Sequence, residues 1–377
     1  MRNSLRPVWV CAVIATLVIG LPVKGAEEQK PLVQLAILLD TSNSMDGLID
    51  QAKTQLWKIV NEFIMAKRDG QRPELRVALY EYGNNGLPAS EGHIRMVLPL
   101  TTDLDRVSEE LFALTTNGGR EYCGRVIEVA TAALDWAGSN DDLKVIFIAG
   151  NEPFTQGDVD YRKACKDSIA KGIIVNTIFC GPHEQGIRTN WKDGADLADG
   201  SYMNIDQDRR VVHIAAPQDK RIAELGVKLN QTYLYYGVTG KESAERQAQQ
   251  DANAMRELSS GSHVERSVTK ASAHYRNVSW DLVDAVREGK IELKAVKDEE
   301  LPEEMQNMTL EQRKAHVEEN ATLRKALQEE ISKLNEERKR YVAGEMKKLT
   351  ESGGETLEAA MIKLLRNQAE RKNFKFQ

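Results

Sequence analysis

Cysteine is scarce in this chain: Cys11, Cys123, Cys165 and Cys180 are all there are in 377 residues. So few exclude a disulfide-built scaffold, which needs several bridges to stand in for a core. A basic surplus is missing too. The formal charge is −6, and an acidic balance of this kind does not favour nucleic acid as a partner. Beyond the first 25 residues there is no apolar run of about 18 or more, so no later membrane-spanning helix is expected. Histidine is thinly spread, at His93, His183, His213, His263, His274 and His316, and no Ser/His/Asp order or nucleophile elbow can be assembled from it. Gly118-Gly119 lacks the following Lys-Ser/Thr of a phosphate loop. Internal repeats are not evident.

What is present begins with an export leader over residues 1–25. Arg2 and Arg6 supply its positive start, Val8 to Leu21 its apolar stretch and Val23-Lys24-Gly25-Ala26 its small-residue exit. The expected location is therefore secreted or periplasmic, with an uncleaved N-terminal anchor as the alternative. Cys11 lies inside the apolar run, not just after a small-residue cleavage site, which speaks against a lipid-anchored cysteine. Losing Arg2, Arg6 and Lys24 takes the formal charge from −6 to −9, because the first 25 residues contain no acid. The remaining chain is long enough for one well-buried domain of about 200 residues and something smaller.

From Leu32 to Ile205 short apolar runs alternate with helix-period segments, the mark of a mostly parallel sheet covered on both faces. The expected strands are Val33 to Leu39, Leu75 to Tyr82, Ile94 to Leu98, Lys144 to Ala149, Ile173 to Phe179 and Ser201 to Ile205. The spacing of Leu48, Ala52, Leu56, Ile59, Phe63 and Ile64 predicts an amphipathic helix, and Asp103 to Leu114, Gly124 to Trp136 and Asp158 to Lys171 predict three more. The short link between the second and third strands predicts an antiparallel edge hairpin. The fold class is α/β, a doubly wound and mostly parallel sheet. Ligands of such sheets bind outside the carboxyl ends of the strands, so the loops after Leu39, Leu114, Ala149 and Phe179 are where function is expected.

Beyond about Gly237 the composition turns to Glu, Lys, Arg, Gln and Ala, so helix is expected there but not a deep core. The chain divides into a domain over 31–235, a mainly helical connector over 236–300 and a charged helical region over 301–377. Thr309 and Gln312 match a capping box that opens a long helix. Leu327, Ile331, Leu334 and Tyr341 sketch an apolar seam, but Arg338 interrupts it, and Asn320 and Arg324 occupy the preceding register positions. Two readings stay open, a coiled coil and a helix packed on its own domain or on a partner, the latter being the simpler. Ser352-Gly353-Gly354 breaks the helix, and Leu357 to Ala369 forms a last short one.

The decisive segment is Leu35-Ala36-Ile37-Leu38-Leu39-Asp40-Thr41-Ser42-Asn43-Ser44-Met45, a buried strand that ends in Asp-x-Ser-x-Ser and runs into a helix. A carboxylate and two hydroxyls at alternate positions of one tight turn converge on a point and suit a hard cation, Mg²⁺, Mn²⁺ or Ca²⁺. The plainer reading of Ser42 or Ser44 is a helix N-cap. With strand, motif and helix in this order, the chain resembles the von Willebrand factor type A family over about Pro31 to Asn230. That family's metal-ion-dependent adhesion site opens with this turn. Leu197 to Met203 looks like the family's last strand and its approach, and Phe147 to Pro153 is similar to its fourth strand and following loop.

Two departures accompany the resemblance. Where the family places a Thr in the second loop this chain has Glu121, and where the family's third loop begins with Asp this chain has Gly150. The metal residues implied are Asp40, Ser42 and Ser44, with Glu121 as an added carboxylate and Glu152 as a partial replacement for the lost one. A carboxylate at Glu121 would neutralise part of the ion's charge, either holding metal permanently from within or, if turned away, leaving the site without it. For Glu152 a solvated surface role stays open.

Cys123 and Cys180 both fall at this carboxyl edge and are the expected disulfide pair, since Cys165 lies mid-helix. A zinc or reactive-thiol group of Cys123, Cys180 and His183 is the competing reading, though it lacks a recognisable zinc spacing. The function expected is protein binding at the carboxyl edge, without catalysis. The alternatives are a metal- or thiol-dependent hydrolase at the same rim and a scaffold whose C-terminal helix does the binding.

Overall fold

Strands form where apolar residues crowd both faces. β1 (Leu32–Asp40), β3 (Glu74–Tyr82), β5 (Leu143–Gly150) and β6 (Ile173–Cys180) are buried almost throughout, with β2 (Ala66–Lys67) a short separate strand. β4 (Ile94–Thr101) alternates buried and exposed residues, as an edge strand does, and β7 (Tyr202–Ile205) closes the other edge. This computed structural model describes residues 30–45, 56–205, 214–256, 261–350 and 357–376. The leader over 1–25, the helix start at Leu48 and Ala52 and the break at Ser352-Gly353-Gly354 lie outside those residues.

The six-stranded sheet has the order β4-β3-β1-β5-β6-β7. All neighbours are parallel except β3 and β4, which pair antiparallel. This is the doubly wound sheet with an antiparallel edge hairpin that the sequence pattern predicts. Counted along the sheet, β1 and its two neighbours mark the point where strand order reverses, and Asp40 is the last residue of β1.

Alternate side chains enter two cores. One face carries Val33, Leu35, Val77, Val145 and Phe147, packed against Trp57 and Val60 of α1 (residues 56–62) and Val107 and Leu111 of α2 (Leu104–Ala113). The other carries Ala36, Leu38, Ala78, Tyr80 and Ile148, packed against α3 (Cys123–Ala133) and α4 (Tyr161–Ala170). Two short helices, α5 (His183–Arg188) and α6 (Trp191–Asp196), lead into β7.

After the sheet the chain is helical: α7 (Asp219–Asn230), α8 (Gly240–Arg256), α9 (Ser262–Lys270), α10 (Leu282–Arg287), α11 (Glu303–Gln306), α12 (Leu310–Thr350) and α13 (Leu357–Glu370). This part has more interior than its composition suggests. Ile222, Leu225, Leu229, Val264, Leu327 and Ile331 form one apolar cluster, and Leu234, Leu282, Val283, Met305 and Val317 form another.

The predicted capping box is present: Thr309 N donates to Gln312 Oε1 at 2.8 Å and Gln312 N donates to Thr309 Oγ1 at 3.3 Å. α12 runs for 41 residues, about 60 Å at 1.5 Å per residue. It lies on its own domain, burying Arg313, Val317, Asn320, Arg324, Leu327, Ile331, Asn335 and Arg338 at three- and four-residue steps. α13 returns to the sheet. Its Met361, Leu365 and Ala369, with Phe374 beyond it, join the core beside α1, and β8 (Lys375–Phe376) pairs antiparallel with β2. Asn176 of β6 and Gln368 of α13 exchange amide hydrogen bonds at 3.1 and 2.8 Å. Residues Pro31–Gln377 form one compact unit.

Candidate functional site

The loops after β1, β3, α2 and β5 meet where strand order reverses. At the end of β1 the chain turns at once. Ser42 N donates to Asp40 Oδ1 at 2.8 Å, Thr41 N donates to Tyr82 O at 2.8 Å, and Asn43–Met45 make a 3-10 turn. Met45 is buried in the core and anchors that turn from below. Ser44 sits in the same turn, but its side chain lies outside what is described.

The loop that carries Glu121, between α2 and α3, is fastened to three neighbours. Asn117 N donates to Thr41 O at 3.0 Å, Asn84 Nδ2 donates to Thr115 O at 3.0 Å, and Glu121 N donates to Gln156 Oε1 of the loop after β5. That third loop is held by Trp191 Nε1, which donates to Glu152 O at 2.8 Å, and by Phe154 N, which donates to Thr189 O at 2.9 Å. Phe154 stacks edge-on against Trp191.

Asp40, Ser42 and Glu121 come together. Asp40 is 0% and Glu121 4% exposed. Burial raises the Asp40 carboxyl, against hydrogen bonds from the Ser42 backbone and hydroxyl that favour its charged form. Burial also raises Glu121, and the Asp40 charge beside it raises it further. Glu152 is half-buried and adds to both effects from a distance, but among the described residues no three His, Cys, Asp or Glu side chains gather as a metal-holding group. The structure thus joins three of the five predicted ligands, keeps Glu152 to the side and leaves the Ser44 side chain undescribed.

The donor set fits a hard cation on one direct observation. Asp40 Oδ2 and Glu121 Oε2 are buried with no hydrogen-bond partner, and two carboxyl groups in one dry space need a proton or a cation between them.

Sequence reasoning missed Tyr82 and Gly83. Tyr82 Oη donates to Ala149 O at 2.9 Å and fills the space beside residue 150, where a Cβ would lie 2.5 Å from that hydroxyl and 3.1 Å from Asp40 Oδ2. Gly150 is therefore glycine for want of room. Gly83 has φ +80°, and a Cβ there would lie 2.7 Å from Glu121 Cγ and 2.8 Å from Asp40 Oδ1. Only a positive-φ glycine lets β3 end so close to the pair.

The cysteine expectation is corrected. Cys123, Cys165 and Cys180 are free and buried. Cys123 packs in the core on one face of the sheet, with Tyr82 Oη 3.8 Å from its Sγ, and Cys180 packs in the core on the other face. The sheet separates Cys123 from Cys180, so they form neither a disulfide nor a ligand group with His183, which is exposed and hydrogen-bonded to Asn204. Burial pushes both thiols up, the reverse of an activated thiolate.

No family model and no curated protein matches the sequence. Solved structures resemble it at low identity. BatB from Bacteroides thetaiotaomicron is 18% identical over 46% of this chain and 90% of its own, with a TM-score of 0.35. The SpRpn10 VWA domain is 17% identical over 48% and 90%, with a TM-score of 0.36. Proximal thread matrix protein 1 from the mussel byssus, with a zinc-occupied MIDAS motif, is 13% identical over 48% and 43%, with a TM-score of 0.37. The doubly wound fold is carried by the strand order and pairing of the sheet itself. The chain has a von Willebrand A-like α/β sheet, with a buried Asp40-Ser42-Glu121 constellation at the carboxyl end of its first strand.

Proposed function

We propose that this chain is an exported protein-binding module. A protein partner docks over the loops after β1, α2 and β5, which a divalent cation, Mg²⁺ or Mn²⁺ and alternatively Ca²⁺, organises through Asp40, Ser42, Ser44 and Glu121. Export rests on the leader over 1–25. Among the described residues no helix is long and apolar enough to cross a membrane.

One observation carries the reading: buried, unpaired carboxylate oxygens on Asp40 and Glu121 at the carboxyl edge of a doubly wound sheet. When bound, the ion supplies positive charge between those carboxylates. The chain's own residues do the rest. Asp40 and the Ser42 hydroxyl offer oxygens from the first loop, Glu121 offers one from the second, and Tyr82 keeps the space beside Gly150 filled.

The test is capture from the cell envelope by mature protein and by Asp40→Ala, each with and without EDTA. A specific partner is expected to be lost in EDTA, recovered with Mg²⁺ or Mn²⁺, and not captured by Asp40→Ala. Capture indifferent to chelator and to the substitution removes the metal from the mechanism.

A further inference from the structure

Neutral hydroxyls leave a bound divalent cation electron-poor and open to a carboxylate from outside, whereas a second carboxylate within the protein cancels its charge. In this chain Asp40 and Glu121 converge from separate loops on one point. A single Cβ position at Gly83 falls 2.7 Å from Glu121 Cγ and 2.8 Å from Asp40 Oδ1. Glu121 is buried, its backbone N–H is tied to Gln156 of the third loop, and α3, which begins two residues later, packs Cys123 and Val126 into the core. The unpaired oxygens, Oδ2 of Asp40 and Oε2 of Glu121, belong to the two carboxylates that would neutralise a divalent ion between them.

We propose that Glu121 is an internal ligand: it supplies from within the carboxylate that the ion would otherwise take from a docking partner, so the ion clasps the rim loops together and the partner need not lend it an acid. This rests on the metal reading above and sharpens what the metal does. What the rim shows to solvent is then a polar surface that includes Asn43, Asn85, Asn117 and Arg120, all exposed. The partner chemistry it fits is hydrogen-bonding main chain and polar side chains, not a single anchoring carboxylate.

The experiment is a titration of the mature protein with Mn²⁺ alone, with and without acetate as a free carboxylate, on wild type, Asp40→Ala, Glu121→Gln and Glu121→Thr. Wild type is expected to bind Mn²⁺ with an affinity that acetate leaves unchanged within about twofold. Glu121→Gln is expected to weaken binding about tenfold or more, and Glu121→Thr to recover part of that loss, about threefold, when acetate is added. Wild-type binding that Glu121→Gln leaves intact while Asp40→Ala abolishes it overturns the internal-ligand role alone. No Mn²⁺ binding by wild type removes the metal reading and this inference together. Should either Glu121 variant fail to fold by circular dichroism, the wild-type acetate arm decides: tightening by acetate means an open coordination position and overturns the proposal.

Discussion

The helical half of the molecule and the carboxyl edge of the sheet both bury charge, and they do so in opposite ways. Among the helices each interior arginine meets carboxylates. Arg266 reaches Asp105 at 2.7 Å and Asp251 at 2.5 Å, Arg324 reaches Asp281 at 2.6 Å and Asp284 at 2.9 Å, and Arg338 reaches Asp219 at 2.7 Å and Glu265 at 2.8 Å. Aromatic faces finish two of them, Trp57 under Arg266 and Tyr233 under Arg324. At the carboxyl edge two carboxyl groups face one another with oxygens left over, and burial and the Asp40 charge push Glu121 up toward holding a proton. Opposite charges buried together complete each other, and their removal leaves a deficit. Two acids buried together need a proton or a cation between them, which is why the first arrangement reads as architecture and the second as a site.

The comparison breaks first at Arg324, where the largest effect is expected. Its guanidinium also donates to the Thr232 carbonyl at 2.5 Å, and Asp281 beneath it is fully buried. Arg324→Met strands that carboxylate and is expected to cost about 3–5 kcal/mol in urea unfolding. Adding Asp281→Asn should return part of the loss, because the stranded charge goes with it. A single substitution costing under about 1 kcal/mol would mean these pairs are ornamental, and the contrast with the carboxyl edge would lose its meaning.

The sheet was legible because its information is local and apolar. β1, β5 and β6 are runs of Val, Ile, Leu, Phe and Ala, and Asp40 follows one of them directly. The face of α12 was not legible. Asn320, Arg324 and Arg338 interrupt an apolar seam in sequence, yet in the structure they are part of the seam, the two arginines satisfied by carboxylates far away in the chain. Periodicity counts apolar residues and is blind to a face built from satisfied charge.

The cysteine pair failed for a related reason. Topology places residues at an edge, but side-chain alternation along β6 decides the face, so Phe179 and Cys180 enter different cores. Tyr82 and Gly83 reach the site through strand order alone, which no local pattern encodes.

A smaller effect, tunable by pH, sharpens the same contrast. Burial alone would raise Asp251, but Lys270 and Arg266 beside it hold its carboxyl down to about 2 from 3.8. A depressed folded pKa means stability that is complete above about pH 4 and fades as pH falls toward 2, worth about 2 kcal/mol. The stability gap between wild type and Asp251→Asn should therefore be constant near neutrality and shrink across that acid window. A gap that does not change with pH would show that the aspartate acts by shape and not by charge.

The smallest change is expected at Asp40, and its sign is the point. Asp40→Asn keeps the side chain's size and its acceptor for Ser42 N while removing one of two facing buried carboxyl groups. In EDTA the variant should be more stable than wild type by about 1 kcal/mol, since a buried charge without a counter-charge costs more than a neutral group. Excess Mn²⁺ should reverse the order. Wild type gains stability as the logarithm of metal over Kd, about 2.7 kcal/mol at a hundredfold excess, and the variant gains little because its ligand is gone. Thermal unfolding of both proteins with and without metal measures the crossover directly. Parallel shifts in the two proteins would show that the carboxyl pair is content with its proton, and the edge would then join the helices as architecture.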